Sequence, residues 1–132
     1  MFLDVPDDGM ASPPRVLVAE DQPLLGWAIG RVLAPLNAEV VLARTYRETT
    51  DQLSAGEFPV VILSASLEGR STLGLAKELT ILRPATRLVV LCDGDCDRLY
   101  TDLPRATIFR KPFVLTDLVA VVAPDFEAHA HA

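Results

Sequence analysis

Apolar runs of strand length alternate with amphipathic stretches along the middle of the chain. The most apolar run, Val60-Val61-Ile62-Leu63, is typical of a central strand that is buried on both faces. Between the runs, apolar side chains recur at spacings of three and four residues, a pattern that predicts amphipathic helices. The predicted strands are 16–19, 39–43, 60–63, 88–91 and 107–109.

Turn and cap residues divide the remaining stretches into five predicted helices. Pro23 suits the first turn of a helix, whereas Pro35, Gly56 and Pro84 mark the ends of the first three helices. The fourth helix has room for only a few residues before Pro104. The predicted helices are 24–33, 45–55, 73–82, a short segment within 95–103, and 115–122. Strict alternation of strands and helices predicts a parallel sheet with helices on both faces and right-handed crossovers.

The composition is that of one small acidic domain. The 132 residues suit a single domain, and the 50% that are apolar suffice for one hydrophobic core. We expect this domain to span 15–123, between flexible tails at 1–14 and 124–132. The net charge of −6 argues against a nucleic-acid partner and against an anionic membrane. No apolar run approaches the roughly 20 residues that cross a bilayer, and the Asp and Pro residues within 1–14 are not typical of a secretory signal, so we expect a cytoplasmic protein.

Residues that can carry chemistry follow the predicted strands, at the edge where open parallel sheets bind ligands. They are Glu20 and Asp21 after the first strand, Ser64 after the third, Cys92 after the fourth and Lys111 after the fifth. Two adjacent carboxylates suit a hard cation such as Mg²⁺, although a solvated acidic pair is the simpler interpretation of Glu20 and Asp21 alone. A lysine on the same edge would pair with an anion or with one of these carboxylates.

Cys92 and Cys96 are the two cysteines of the chain. Free thiols are the simpler interpretation in an intracellular protein. A disulfide between residues four apart in a helical segment would distort the backbone, so we expect both thiols to be free. We also expect Cys92, at the end of an apolar strand, to be a small core residue rather than a redox sensor.

Two motifs resemble the receiver domains of bacterial two-component response regulators. The segment from Val16 to Leu25 is similar to the family's opening strand, acid pair and first helix, and Phe109-Arg110-Lys111-Pro112-Phe113 is similar to its closing Lys-Pro-Phe motif. The likeness covers about residues 15–123 and implies an often cis peptide before the proline. It also implies an α/β fold, a flavodoxin-like doubly wound sheet of five parallel strands in the order 2-1-3-4-5, with five helices of which the fourth is short.

The resemblance also identifies replaced residues at the expected phosphorylation site. Ser64 stands where the family has its phosphoacceptor aspartate. Cys92 replaces the Ser or Thr that hydrogen-bonds the phosphoryl group, and a thiol is a weak donor. Ile108 replaces the switch aromatic and cannot swing between exposed and buried positions as a ring would. Because a serine hydroxyl is far less acidic than a carboxylic acid and has no general base in this motif, phosphoryl transfer to Ser64 should fail.

The same replacement weakens the implied metal site. Without a third carboxylate at position 64, Glu20 and Asp21 should form a weak or absent Mg²⁺ site, so we expect no cofactor beyond weakly bound Mg²⁺. With Ser64 opposite it, Lys111 should pair with Asp21 or Glu20 more readily than with an anion.

These departures imply a pseudo-receiver: a stand-alone, non-enzymatic receiver domain of a two-component system that acts by phosphorylation-independent protein binding. The expected partner is a histidine kinase, a phosphotransfer protein, another receiver or a second copy in a homodimer. Contact is expected through the first helix or through the face of strand four, helix four, strand five and helix five. Trp27, on the first helix, is either a core residue at the helix edge or an exposed partner contact.

The alternative function is a small hydrolase-like or ligand-responsive domain. Ser64 would be its nucleophile and Lys111 its base. That chemistry requires the two side chains to lie within hydrogen-bond reach, beside a pocket that stabilises an oxyanion.

Overall fold

Five parallel strands form the centre of the computed structural model, which describes residues 13–94, 96–103 and 105–130. Their spatial order is β2-β1-β3-β4-β5, and every neighbouring pair is parallel. This order confirms the predicted 2-1-3-4-5 sheet. The strands are β1 (Arg15–Ala19), β2 (Glu39–Ala43), β3 (Val60–Ser64), β4 (Arg87–Cys92) and β5 (Thr107–Arg110).

Helices connect the strands on both faces of the sheet. α1 begins with Pro23 in its first turn, and the Thr45 hydroxyl caps α2 by accepting a 3.0 Å hydrogen bond from the Glu48 N–H. Two short 3₁₀ helices, Ala34–Leu36 and Cys96–Tyr100, lie in the connections. The α-helices are α1 (Pro23–Leu33), α2 (Tyr46–Ala55), α3 (Leu73–Leu82) and α4 (Leu115–Ala130).

Alternating side chains of the sheet divide the core into two layers. Leu17 and Val61 pack in the α2–α3 layer, which also includes the Cys96–Tyr100 segment. Val18 and Ile62 pack in the α1–α4 layer. Because helices cover both faces, a central strand is apolar at nearly every position, and all five residues of β3 are buried.

The prediction of a fourth α-helix is wrong. The 95–103 segment instead contains the five-residue 3₁₀ helix Cys96–Tyr100. Among the described side chains of residues 96–103, Tyr100 and Leu103 are buried, which is little apolar surface for a regular amphipathic helix. The tighter 3₁₀ geometry is used in such short pieces. The described residues therefore contain four α-helices rather than the predicted five.

The predicted C-terminal boundary at residue 123 is also wrong. α4 continues through Pro124 to Ala130 instead of ending at residue 122. Phe126 is buried in the α1–α4 layer, and Asp125 accepts a 3.0 Å hydrogen bond from the Arg87 side chain on β4. These contacts hold the helix beyond the proline. Residues 1–12 of the predicted N-terminal tail, and residues 131–132, lie outside the described part of the chain.

Several large apolar side chains of the helices lie at the surface. Leu24 and Leu82 are 82% and 66% exposed, although their spacing groups them with core-facing positions. Trp27 is 61% exposed, which favours the surface interpretation of this residue. The Arg31 guanidinium lies over the Trp27 ring, 5.7 Å from its centroid. Among the helices that the structure describes, none combines the length and the apolar character needed to cross a membrane.

Candidate functional site

The predicted site residues lie at the ends of four neighbouring strands, an edge that we call the carboxyl edge. Because the strands are parallel, the register that pairs β3 with β4 and β4 with β5 brings their last residues to the same side. The carboxyl edge consists of Glu20 and Asp21 after β1, Ser64 and Cys92 as the last residues of β3 and β4, and Lys111 after β5.

A buried ion pair joins Glu20 to Lys111. Glu20 Oε1 lies 2.8 Å from Lys111 Nζ, and the two side chains are 0% and 9% exposed. The other carboxylate oxygen, Oε2, accepts a 2.9 Å hydrogen bond from the Gln22 N–H. Oε1 has no hydrogen-bond partner in the described part of the chain, so the nearby ammonium compensates its charge as an ion pair. Of the two carboxylates that the sequence left open for Lys111, Glu20 is the partner.

Asp21 holds the turn that follows β3. Its Oδ2 atom accepts a 2.6 Å hydrogen bond from the N–H of Glu68. Glu68 and Gly69 have positive φ angles of 51° and 80° and connect a two-stranded antiparallel ribbon, Ser66–Leu67 with Arg70–Ser71. Two consecutive residues with positive φ fit the type I′ turn of a tight hairpin. The Asp21 carboxylate is therefore already engaged in fixing this loop.

Ser64 is enclosed at the end of β3. The residue is 2% exposed, and its hydroxyl accepts a hydrogen bond from Lys111 Nζ at 3.4 Å. That distance is long for a hydrogen bond, whereas the Lys111–Glu20 contact is short. Lys111 thus lies between a neutral hydroxyl and a carboxylate and is drawn to the carboxylate.

Thr72 and Tyr100 extend the polar contacts of Ser64, and the sequence analysis missed both. Buried Thr72 Oγ1 donates a 2.6 Å hydrogen bond to the Ser64 carbonyl, and the Tyr100 hydroxyl hydrogen-bonds the Thr72 side chain. Burial raises the pKa of Tyr100 above its usual 10.0, and the Thr72 hydrogen bond opposes this with a smaller effect. The available signal was a threonine directly before the apolar run of α3, a position typical of a helix cap. Its side chain caps no N–H of α3 and bonds to β3 instead.

The expectation that Cys92 and Cys96 are free thiols is wrong, because the structure joins them in a disulfide. Their Cα atoms are 5.8 Å apart, a separation that disulfides ordinarily span. Cys92 ends β4 and Cys96 begins the 3₁₀ helix, with Gly94 at a φ of 63° in the turn between them. We expected a distorted backbone because the prediction placed both cysteines in one helical segment. In the structure, Cys92 lies in a strand instead.

Ile108 lies on β5, half-buried against the α2–α3 layer. The next residue, Phe109, packs in the other layer, where its ring meets Phe113 edge to face at a centroid distance of 5.4 Å. An aliphatic side chain therefore fills the position that the resemblance assigns to a switch aromatic. The Lys111–Pro112 peptide bond is cis, as the resemblance implies.

In the residues that the structure describes, no three or more His, Cys, Asp or Glu side chains are grouped so as to hold a metal ion. Glu20 and Asp21, the acids that the sequence analysis assigns to Mg²⁺, each already have a partner.

Two open clefts flank the carboxyl edge. The larger cleft, of about 400 Å³, is lined by Gln22, Leu25, Asp93, Lys111, Pro112, Phe113 and Leu115. The smaller, of about 240 Å³, is lined by Ala65, Ser66, Gly69, Ser71, Asp93, Cys96, Leu99 and Tyr100.

Neither a family model nor a curated protein matches this chain. Its structure is similar to the signal receiver domain of an HD domain-containing protein from Pseudomonas fluorescens Pf-5, with a TM-score of 0.75, 20% sequence identity and 90% of each chain covered. A CheY-like response regulator receiver domain from Methanospirillum hungatei JF-1 gives a TM-score of 0.77 at 17% identity, over 89% of this chain and 97% of that one.

A third similar structure is a dimer, the beryllofluoride-activated receiver domain of NtrC4. It gives a TM-score of 0.70 at 20% identity and covers 87% of this chain and 98% of that chain. Together these likenesses show that the chain has the receiver fold.

Proposed function

We propose that this protein is an atypical receiver domain of a two-component signalling system that works by binding another protein without being phosphorylated. The observation that carries the proposal is the arrangement of Ser64, Lys111 and Glu20. A buried hydroxyl stands at the end of β3, and the lysine beside it forms its close ion pair with Glu20.

The environment of Ser64 supports the absence of phosphoryl transfer. A neutral hydroxyl becomes a useful nucleophile when a neighbouring base takes its proton. The neighbour of Ser64 is Lys111, which donates to the hydroxyl and carries a positive charge in its salt bridge with Glu20.

The contacts of the two acids support a weak or absent Mg²⁺ site. A cation that bound Glu20 would have to displace the Lys111 ammonium at 2.8 Å or share the carboxylate with it. A cation that bound Asp21 Oδ2 would compete with the Glu68 N–H. Because Mg²⁺ holds its waters tightly, a site with two occupied carboxylates competes poorly for it.

The exposed side of α1 is the partner surface that we propose. Leu24 and Trp27 are one helical turn apart, and both are largely exposed. Large aromatic side chains are the residues that most often anchor protein interfaces. The proposed partner is a histidine kinase, a phosphotransfer protein or another receiver, and the dimeric NtrC4 structure supports testing a second copy as well.

A second candidate function is a hydrolase-like activity of Ser64 and Lys111. One observation favours it: the two side chains lie within 3.4 Å of each other. Two observations oppose it, because Ser64 is enclosed and Lys111 is a salt-bridged cation rather than a base. We therefore retain the signalling function as the proposal.

Replacing Ser64 by a carboxylate tests the proposed loss of phosphorylation. Ser64→Asp would place an acid beside Lys111, where it competes with Glu20 for the ammonium and frees Glu20 for Mg²⁺. Ser66→Asp, two residues further along and exposed, is the matched control. With acetyl phosphate and Mg²⁺, we expect phosphate incorporation into Ser64→Asp and none into the natural chain or into Ser66→Asp.

Two results would contradict this proposal. Phosphate incorporated into the natural chain would show that another acid accepts it. A folded Ser64→Asp chain that stays unlabelled would show that the missing carboxylate is not the reason for the loss.

A second experiment tests the proposed partner surface. Trp27→Ala should reduce the amount of partner captured from the native cell by about tenfold or more, since truncation of an aromatic anchor commonly costs about 2 kcal/mol. Ile81→Ala, which truncates a 76%-exposed side chain on α3, is the control on the other face. Equal losses in both variants, or a loss only in Ile81→Ala, would place the partner elsewhere.

A further inference from the structure

Cys92 and Cys96 lie in two different environments although they are four residues apart. Cys92 is fully buried at the end of β4, and its carbonyl accepts a 2.8 Å hydrogen bond from the Lys111 N–H. Cys96 is half-buried and lines the 240 Å³ cleft together with Ser66 and Leu99. Cys96 is therefore the more accessible of the two cysteines to a thiol reagent in solvent.

Few of the described side chains in the segment that begins at Cys96 are buried anchors. Tyr100 and Leu103 are buried, whereas Arg98 and Leu99 are exposed. A covalent bond from Cys96 to β4 adds an anchor at the end of the segment opposite Leu103. Segments with few buried contacts open locally at low free energy, so one added anchor has a large effect on them.

We propose that Cys92 and Cys96 form a reversible thiol–disulfide site, and that the disulfide fixes residues 96–103 against the end of β4. The co-reactant is an external disulfide, either a small molecule such as oxidised glutathione or a protein. This inference goes beyond the signalling proposal and does not depend on the partner or on the absence of phosphorylation.

The difference in burial sets the order of the steps. The Cys96 thiolate attacks one sulfur of the external disulfide, and the other external sulfur leaves as a thiolate. The Cys92 thiolate then attacks Cys96 Sγ and displaces the second external thiolate. Two protein thiols lose two electrons and two protons, and the external disulfide is reduced to two thiols.

The segment also contacts the carboxyl edge. Tyr100 lies within it and hydrogen-bonds Thr72, which donates to the Ser64 carbonyl. Cys92 itself is hydrogen-bonded to the backbone of Lys111. A change in the anchoring of the segment therefore reaches Ser64 through Thr72 and Lys111 through Cys92.

Redox equilibration of the full chain tests the proposal. The chain is held in reduced or oxidised glutathione mixtures, its free thiols are blocked with a maleimide, and its mass and amide hydrogen exchange are measured. We expect an intramolecular disulfide in the oxidised mixture, reversed by reduced glutathione, with amide exchange at residues 96–103 slowed about tenfold or more. Exchange in Cys96→Ser should not respond to the mixture, and Cys92→Ala, checked for folding by circular dichroism, should behave like it.

Several outcomes would overturn the proposal. They are two maleimide-reactive thiols in the oxidised mixture, a stable glutathione adduct on Cys96 in place of the internal bond, and a disulfide between two chains. A disulfide that forms without slowing exchange at residues 96–103 would overturn its structural part. A redox-dependent change in exchange that persists in Cys96→Ser would assign the effect to another group.

Discussion

The interior of the sheet and its carboxyl edge are stabilised in different ways. In the interior, fully buried Val, Ile and Leu side chains of the strands pack against helices on both faces. At the carboxyl edge, a few individual polar contacts hold the structure, among them the Glu20–Lys111 pair and the hydrogen bond from Glu68 to Asp21. Apolar packing tolerates exchanges of similar volume, whereas a buried charge tolerates no loss of its partner. The difference implies that the interior determines the fold and the edge determines what the fold can do.

The largest expected effect comes from breaking the buried ion pair. Lys111→Met should lower the free energy of unfolding by about 3–5 kcal/mol, because it leaves the Glu20 charge buried without compensation. The double variant Lys111→Met with Glu20→Gln should lose less than Lys111→Met alone. Denaturant unfolding measures both. Equal stability of Lys111→Met and the natural chain would show that the edge does not depend on this pair.

A cavity in the interior gives the second comparison. Ile62→Ala, on the central strand, should lower the free energy of unfolding by about 2–5 kcal/mol through lost burial and the space left behind. Ile81→Ala removes the same atoms from a 76%-exposed position and should change it by less than about 0.5 kcal/mol. No second substitution should reduce this loss of stability in the way that Glu20→Gln reduces the loss caused by Lys111→Met. Similar effects at the two isoleucines would contradict the assigned core.

The smallest effect is a pH dependence from Tyr100. Burial raises the pKa of Tyr100 in the folded state above 10.0, so the folded chain holds this proton more tightly than the unfolded chain. Its contribution to stability is complete below the unfolded pKa and is lost as the pH rises from about 10 through the folded pKa. Thermal unfolding of the natural chain and of Tyr46→Phe should show this fall in stability above about pH 10. Tyr100→Phe should not show it. The same fall in Tyr100→Phe would assign it to another group.

The strands could be predicted from the sequence because their signal is local. Runs such as Val60-Val61-Ile62-Leu63 have one favourable environment, a strand covered on both faces, and the parallel order then follows from the alternation with helices. The ends of the elements were harder to predict. The last helix was predicted to end at residue 122, but it continues past Pro124, and Phe126 is buried in the α1–α4 layer.

The members of the carboxyl edge could be predicted, but their partners could not. Strand ends identified Glu20, Ser64 and Lys111 as neighbours, since parallel strands end on the same side. Which carboxylate pairs with the lysine depends on side-chain positions to within an ångström, and no spacing along the chain encodes them. The contact between Tyr100 and Thr72 was not predicted for the same reason. The two residues are far apart along the chain, and their positions in the sequence do not indicate that the side chains meet.

The central claim is that the carboxyl edge has no site for a phosphoryl group. Beryllofluoride imitates that group, so the most direct test is to titrate the natural chain with beryllofluoride and Mg²⁺ while amide chemical shifts are recorded. We predict that the amides of Ser64, Cys92 and Lys111 keep their shifts throughout the titration. Saturable shifts at these amides that require both reagents together would contradict the claim.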